Sequence, residues 1–349
     1  MLPDHSEKIA VAPMMDWTDR HDRYFLRLIS RRAVLYTEMV TTGAILFGDR
    51  HRFLRFDPTE RPLVLQLGGS DPAALAESAR IGAGYGYDAI NLNVGCPSDR
   101  VQSGAFGACL MQSPDLVARC VAAMVEAVDV PVTVKHRLGV DDQDEEATLP
   151  AFVDRVAEAG CRHFVVHARK AWLSGLSPKQ NREVPPLRHG LVHALKRARP
   201  DLAITINGGI GSLDAAADHL AQVDGVMLGR LAYQEPYVLA DVDRRFYGDG
   251  CSPLSRVAVA EAMGDYIDRA ARDGVPAKSV TRHMMGLFNG LPGARAWRRH
   301  LAEEARHPGA TGAVVLSALR LVQDESEARE SGDDAQPAFE RTQRLVQRA

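Results

Sequence analysis

Eight short apolar runs, separated by segments with a helical repeat, leave this chain few folds to choose from. The runs are IAVAPM (9–14), LYTEMV (35–40), LVLQLGG (63–69), INLNVG (90–95), VTVKHR (132–137), HFVVHAR (163–169), AITINGG (203–209) and GVMLGR (225–230). Each has the length of a strand and gives way to glycine, proline or polar residues. Helical patterns fill most of the intervals, at 72–83, 145–159, 188–199 and 212–222. The clearest starts with Ser113 as a cap and Pro114 at the first helical position, and stacks Leu116, Cys120 and Met124 beside Val117, Val121 and Val125. Strand and helix alternating eight times predicts a (β/α)8 TIM barrel, an α/β fold whose active-site residues stand where the strands end. A doubly wound parallel sheet is the alternative.

The strand ends therefore matter most. They carry Pro13-Met14-Met15 after the first run, Gln66 on the third, Asn93 and Cys96 on the fourth, Lys135 on the fifth, and His167 and Arg169 on the sixth. The seventh ends in Asn207-Gly208-Gly209 and the eighth in Gly229-Arg230. Cys96 follows the alternation of Ile90, Leu92 and Val94 and lies between Gly95 and Pro97, with Gly104 and Gly107 in the loop behind it. An isolated free cysteine usually packs as a small hydrophobe. At a strand tip, backed by a glycine-bearing loop, the chemical role gains weight. An ordinary thiol is mostly protonated at neutral pH, so it can donate a proton as well as attack.

Glycine pairs at two successive strand tips let backbone N–H groups approach a phosphate, and Arg230 adds charge; either pair alone would be an ordinary turn. Lys135, on a strand built of Val132 and Val134, needs solvent or an anionic partner. Gln66, an amide in an apolar strand, pairs either with neighbouring backbone or with a ligand's polar edge. His167 is a satisfied core histidine or lines the mouth of the site. No His-x-x-x-His and no carboxylate cluster stands near a strand tip, so no metal site is expected.

The five cysteines, at 96, 109, 120, 161 and 251, are odd in number and form no Cys-x-x-Cys pair, which argues against a disulfide framework and for a reducing compartment. No apolar run approaches the ~20 residues of a membrane span, and the N-terminus lacks a signal architecture, so a cytoplasmic protein is expected, without a membrane or an obligate protein partner. Net charge is only −3, so contact with nucleic acid would need a local basic patch.

After the eighth run, Pro236–Phe246 reads as a last barrel helix and Tyr247–Pro253 as a linker. Helical spacing then recurs at 255–273, 279–289, 294–306 and 311–329, which predicts a small C-terminal four-helix bundle. The expected domains are 1–247, 248–328 and an acidic, disordered tail at 329–349. Residues 275–300 hold Lys278, Arg282, Arg295, Arg298 and Arg299 and no acidic residue. Arg295, Arg298 and Arg299 share a helical flank, either a solvated face or a phosphate-binding one.

These motifs together resemble one family, the tRNA-dihydrouridine synthases, most closely its A type. The resemblance is carried by APMMDWTDRHDRYF (12–25), TEMV (37–40), VLQLGGSDP (64–72), NLNVGCPSDRVQSGAFGACLM (91–111) and VTVKHRLGVDD (132–142). It continues through HARKAWLSGLSPKQNREVPPL (167–187), INGGI (206–210) and MLGRLAY (227–233), and covers roughly residues 10–320. Asn-x-Gly-Cys-Pro is its specific core; the glycine pairs would fit many flavin barrels. The resemblance implies reduction of the uracil 5,6 double bond in the tRNA D-loop, at positions 20 and 20a, with bound FMN and transient NADPH. It implies that Cys96 is the proton donor and Asn93 a contact to the target uridine. Pro13, Met14, Met15, Gln66, Lys135, His167, Asn207, Gly208, Gly209, Gly229 and Arg230 then form the FMN site, with Lys135 near the flavin N1 and O2. Lys179 and Arg182 resemble tRNA contacts, and Arg295 and Arg298 lie in the helical domain that in the family grips tRNA. No GxGxxG nicotinamide fingerprint is present, so the reductant visits only transiently. Two rivals stay open: a flavin barrel acting on a free pyrimidine, like a dihydroorotate dehydrogenase, and an RNA-binding factor with a vestigial flavin site.

Overall fold

The computed structural model describes residues 7–334. Eight parallel strands close into a barrel in sequence order: β1 (Ile9–Val11), β2 (Val34–Thr41), β3 (Leu63–Gly68), β4 (Ala89–Val94), β5 (Val132–Arg137), β6 (His163–His167), β7 (Ala203–Asn207) and β8 (Gly225–Leu228). Parallel neighbours need a crossover, and the helical segments supply it, covering the outward-facing strand residues. Inside, side chains from six of the strands (Ala10, Val34, Tyr36, Val64, Ala89, Val165 and Met227) pack one cluster, against which Met14 leans.

Several elements are shorter than the apolar runs, each for a local reason. β1 stops at Val11 because Pro13 has no N–H to offer a ladder and Met14–Thr18 closes a turn, its Met14 carbonyl accepting from Trp17 and Thr18. β7 and β8 stop before their glycines; Gly208 and Gly209 have φ of +111° and +72°, outside any strand. The helix Pro114–Ala127 buries Val117, Cys120, Val121 and Met124, but Val125 is exposed and the Ser113 side chain makes no capping hydrogen bond. Pro236–Phe246 is not one helix: a 3-10 turn, Pro236–Asp241, precedes a helix at Val242–Tyr247.

The described chain divides into two compact units. One runs to Tyr233 and takes in Val238–Ser252; the other takes Gln234–Tyr237 and the chain from Pro253 on. The boundary lies beyond residue 247 because Asp249 is held by Arg31, at 3.0 Å, and by the Asp243 carbonyl. Gln234–Tyr237 belongs with the second unit because Asn289 donates to the Gln234 carbonyl at 2.7 Å and Tyr237 to that of Leu254 at 2.8 Å.

The second unit holds helices at Arg256–Arg272, Ala277–Thr281, Ala294–Glu304 and Ala313–Asp334. Trp297 is its fully buried centre, donating to the Met284 carbonyl at 2.9 Å and tilted against Phe288. The helix expected over 279–289 ends at Thr281, since Gly286, Gly290, Pro292 and Gly293 follow in turns. The last helix, by contrast, runs to Asp334, past the expected disorder from 329: Glu327, Ala328, Arg329 and Glu330 are good helix formers. Residues 335–349 of that tail lie outside the described residues. Among the described residues no helix is long and apolar enough to cross a membrane, and no His, Cys, Asp and Glu are grouped to hold a metal ion.

Candidate active site

On β4 the period-two alternation points Asn91 and Asn93 one way and Ile90, Leu92 and Val94 the other. Both asparagines are buried in the barrel, where an amide must find partners or cost free energy. Asn93 finds them above and beside it. Its Oδ1 accepts from the backbone N–H groups of Gly95, at 3.1 Å, and Cys96, at 3.0 Å, and its Nδ2 donates to Gln66 Oε1 at 2.8 Å. The two N–H groups turned onto one side-chain oxygen bend the chain sharply at the strand tip and set Cys96 there.

The Cys96 thiol is half-buried, not sunk in the core, and Sγ lies 3.4 Å from Ser98 Oγ. Its carbonyl accepts from Ala108 at 2.9 Å. That closure requires Gly107: φ is +77°, and a Cβ there would stand 2.6 Å from the Cys96 oxygen and 2.4 Å from Val101. Gly107→Ala is expected to cost about 1–3 kcal/mol, read by denaturant unfolding.

From the other side Arg137, buried at the end of β5, donates Nε to the Gly95 carbonyl at 3.1 Å and Nη1 to those of Lys170 and Asn181. Burial pushes this guanidinium down to about 10, an effect the nearby Cys96 opposes. Lys135, paired in register with Asn93, donates Nζ to Asn207 Oδ1 at 2.9 Å. Burial pushes its ammonium down to about 7, helped by the Arg137 charge and again opposed by Cys96. Two buried basic groups, neither paired with a carboxylate in these interactions, thus stand at the end of β5, next to the strand whose tip carries Cys96.

Further round the mouth, His167 pairs in register with Asn207, and Asn207 also donates to the Met227 carbonyl at 2.8 Å. Burial, then the charges of Arg137 and Lys135, hold His167 neutral, well below the usual imidazole range. Its Nδ1 is buried with no hydrogen-bond partner. A Cβ on Gly208 would touch its ring at 2.9 Å, so this glycine admits the histidine, while its carbonyl accepts from His189 Nε2 at 2.8 Å. Arg169, depressed by burial and by the neighbouring Arg230, has its Nε buried and unpartnered while Nη1 donates to the Pro185 carbonyl. Gly229 faces open space.

The expected residues do not all converge. Gln66, Asn93, Cys96, Lys135, His167, Asn207, Gly208 and Gly209 stand at or within the C-terminal end of the barrel. Met15 is 54% exposed, and it is Met14 that packs on the interior. Gln66 spends one N–H and one acceptor site on Asn91 and Asn93, not on backbone as the alternative had it. Arg230 forms an ion pair with Glu183 at 3.1 Å on the loop after β6. Lys179 and Arg182 are exposed on that same loop. Arg295 and Arg298 are exposed in the second unit, on the flank of their helix opposite Ala296 and Trp297; Arg298 donates to Asn289 at 2.8 Å.

Three residues that sequence reasoning passed over also shape the site. Asn181 pins the loop after β6, accepting from Trp172 N at 2.8 Å and donating to the carbonyls of Trp172 and Leu176. Arg137 braces the Cys96 turn. Glu38, re-aimed by a bulge in β2 between Tyr36 and Met39, accepts from the Asp16 N–H at 2.5 Å and holds that residue at φ +64°. Arg137 and Asn181 work through backbone groups, which leave no residue-type signal; Glu38 was visible as the lone acid in TEMV.

Residues 10–323 match the family model described as dihydrouridine synthase. The chain is similar to the tRNA-dihydrouridine(20/20a) synthase of Salmonella typhi, 56% identical over 318 residues that span 91% of this chain and 96% of that one. Its counterpart in Shewanella oneidensis is 58% identical over 314 residues, 90% of this chain and 93% of that one. The Escherichia coli K12 protein of the same description is 57% identical over 320 residues, covering 91% and 92%.

Proposed function

Because the chain belongs to the dihydrouridine synthase family, we propose that it reduces the C5–C6 double bond of uridine in the tRNA D-loop, at positions 20 and 20a, using bound FMN and transient NADPH. The observation that carries this reading is a half-buried thiol at the tip of β4, set there by Asn93 and braced by the buried Arg137 guanidinium through the Gly95 carbonyl, with unpartnered polar atoms of His167 and Arg169 further round the same mouth. The orphaned His167 Nδ1 and Arg169 Nε, the exposed Gly209 and the open face of Gly229 suit a polar, phosphate-bearing cofactor.

In this reading Gly208, Gly209, Gly229 and Arg230, with Arg169, hold the phosphate. Pro13 and Met14 line the ring; Gln66, Lys135, His167 and Asn207 hold its polar edge. When bound, FMN supplies the hydride that adds to C6 of the uracil. Cys96 completes the reduction: charge develops at C5 and O4, and the thiol gives its proton to C5 and becomes a thiolate. Lys135 and Arg137 stabilise that anion where it forms. Asn93, besides setting the Cys96 turn, has one N–H left on Nδ2 for the target base. The thiol chemistry needs a reducing compartment, and the reaction is placed in the cytoplasm.

A base in the folded elbow of tRNA must be splayed out before it reaches a barrel mouth, so recognition rests on shape and phosphates. Lys179 and Arg182 on the loop after β6, and Arg295 and Arg298 on the second unit, supply that contact. Arg295→Ala combined with Arg298→Ala is expected to raise KM for tRNA about tenfold and to flatten the dependence of log KM on log salt by about one to two units. A wild-type KM and salt slope would remove these arginines from the interface.

The test of the function is a titration of the yellow holoprotein. NADPH should bleach it, and tRNA lacking dihydrouridine should restore the colour. Restoration by free uridine or orotate at equal concentration would favour a free-pyrimidine enzyme, and no bleaching would favour a vestigial site.

A further inference from the structure

At the tip of β7 two successive glycines leave one peptide plane free to turn. The peptide ahead of them is held, since the Asn207 carbonyl accepts from the Ala168 N–H at 2.8 Å. Turning over the plane between Gly208 and Gly209 changes only Gly208 ψ and Gly209 φ, and neither residue has a Cβ to oppose it. One hydrogen bond fixes that plane. His189 Nε2 lies 2.8 Å from the Gly208 carbonyl oxygen, and because a carbonyl can only accept, the proton is on Nε2 and the tautomer is settled. Among the described residues neither the Gly208 carbonyl nor the Gly209 N–H makes another hydrogen bond.

Both partners of this bond hang from the same residue of the chain. Ala168 donates to Asn207 on one side, and its carbonyl accepts from the Arg188 N–H at 2.9 Å on the other. Arg188 is further tied to Glu145 at 2.5 Å and Glu146 at 2.7 Å, and His189 follows it as the first residue of the helix His189–Ala198. The His189 ring meets His219 edge-on, with centroids 4.6 Å apart and planes at 75°, and His219 Nδ1 is 3.1 Å from His193 Nε2. Such an edge contact resists rotation of the ring. The consequence falls on Gly209. A trans peptide points its C=O and its N–H in opposite directions, so a Gly208 carbonyl turned onto His189 turns the Gly209 N–H away from that helix. Gly209 is exposed, and an N–H without an acceptor is the group a phosphate oxygen takes. With the plane reversed, a carbonyl oxygen would stand in its place and repel the anion.

We propose that His189 is a positioning residue for the cofactor phosphate: its Nε2–H holds the Gly208–Gly209 peptide in the one sense that offers the Gly209 N–H to an anion. The inference rests on the assignment of Gly208 and Gly209 to the phosphate and extends it to a residue that acts only through the backbone.

The test compares His189→Phe, which keeps a ring against His219 and loses the donor, with His189→Gln, whose side-chain N–H can reach the same oxygen. Affinity is measured by fluorescence titration for FMN and for riboflavin, which lacks the phosphate. Phenylalanine should weaken FMN about tenfold and leave riboflavin within about twofold of wild type; glutamine should restore FMN to within about threefold. At saturating FMN, kcat should stay within about twofold, since the thiol and the ring-edge groups are untouched. A crystal structure of FMN-free His189→Phe should show the Gly208 carbonyl turned away from residue 189 or in two orientations. His189→Leu takes the place of phenylalanine if that variant does not fold. Wild-type FMN affinity in the phenylalanine variant, an equal loss for FMN and riboflavin, a glutamine variant as weak as phenylalanine, or an unmoved carbonyl would each overturn the proposal. A wild-type protein that binds FMN no more tightly than riboflavin would refute the phosphate assignment instead, and the carbonyl orientation would still decide whether His189 sets the peptide.

Discussion

Replacing Cys96 by alanine is expected to lower kcat for uridine reduction by about 10²- to 10⁴-fold, the range over which a positioned general acid contributes. FMN content and tRNA affinity should stay within about twofold of wild type, because everything that sets this turn is backbone or belongs to other side chains. The Cys96 N–H still donates to Asn93 and its carbonyl still accepts from Ala108. Ser98, whose Oγ stands 3.4 Å from the sulfur, should not take over: an alcohol is a far weaker acid than a thiol. Reverse-phase analysis of the nucleosides after timed incubation gives the rate. Turnover undiminished in Cys96→Ala would put the acid elsewhere.

The second large effect falls on Lys135. Its amine is pushed down to about 7 by burial, so in the protein without FMN it is charged below that pH and neutral above it. A ring edge that gathers negative charge favours the ammonium, so binding takes up a proton above pH 7. FMN affinity should therefore fall by up to about tenfold per pH unit as pH rises from 7, until the pKa of the liganded amine is reached. Lys135→Met should weaken FMN binding about 10- to 100-fold at pH 6.5 and erase that pH dependence, as measured by fluorescence titration. Stability of the FMN-free protein moves the opposite way. The folded pKa lies below the unfolded value of about 10.4, so the unfolded state binds more protons between the two, and this group's destabilising contribution, full below pH 7, is relieved as pH rises through that window. Lys135→Met should therefore stabilise the FMN-free protein most below pH 7.

The barrel was legible because its signal is repeated: a strand that ends three residues early, as β1 does at Val11, does not change the alternation of eight. The positions of Cys96, Asn93, Lys135 and the two glycine pairs at strand tips were legible for the same reason, because they follow from where the strands end. What escaped reading works by pairing. Asn91 and Thr133 stand on the interior side by simple alternation, yet nothing in one strand's sequence says that a threonine on β5 will meet an asparagine on β4. Arg137 and Asn181 act on backbone groups that almost any residue would supply. Met15 follows Met14 in sequence, yet Met14 packs on the interior and Met15 is exposed, a difference that the turn after β1 sets and residue type does not. In the second unit the basic flank was visible at helical spacing, but the segment 279–289 was not, because buried Val280, Met284 and Leu287 mimic a helical stripe while Gly286 and Gly290 bend the chain into turns.

The account stands most directly on one rapid-mixing measurement. NADPH-reduced protein is mixed with saturating tRNA lacking dihydrouridine, and recovery of the oxidised flavin absorbance is followed in a single turnover, for wild type and Cys96→Ala in parallel. Recovery at least about 100-fold slower in the variant, with one dihydrouridine formed per flavin in the wild type, is the predicted result. Equal rates in the two proteins would contradict it.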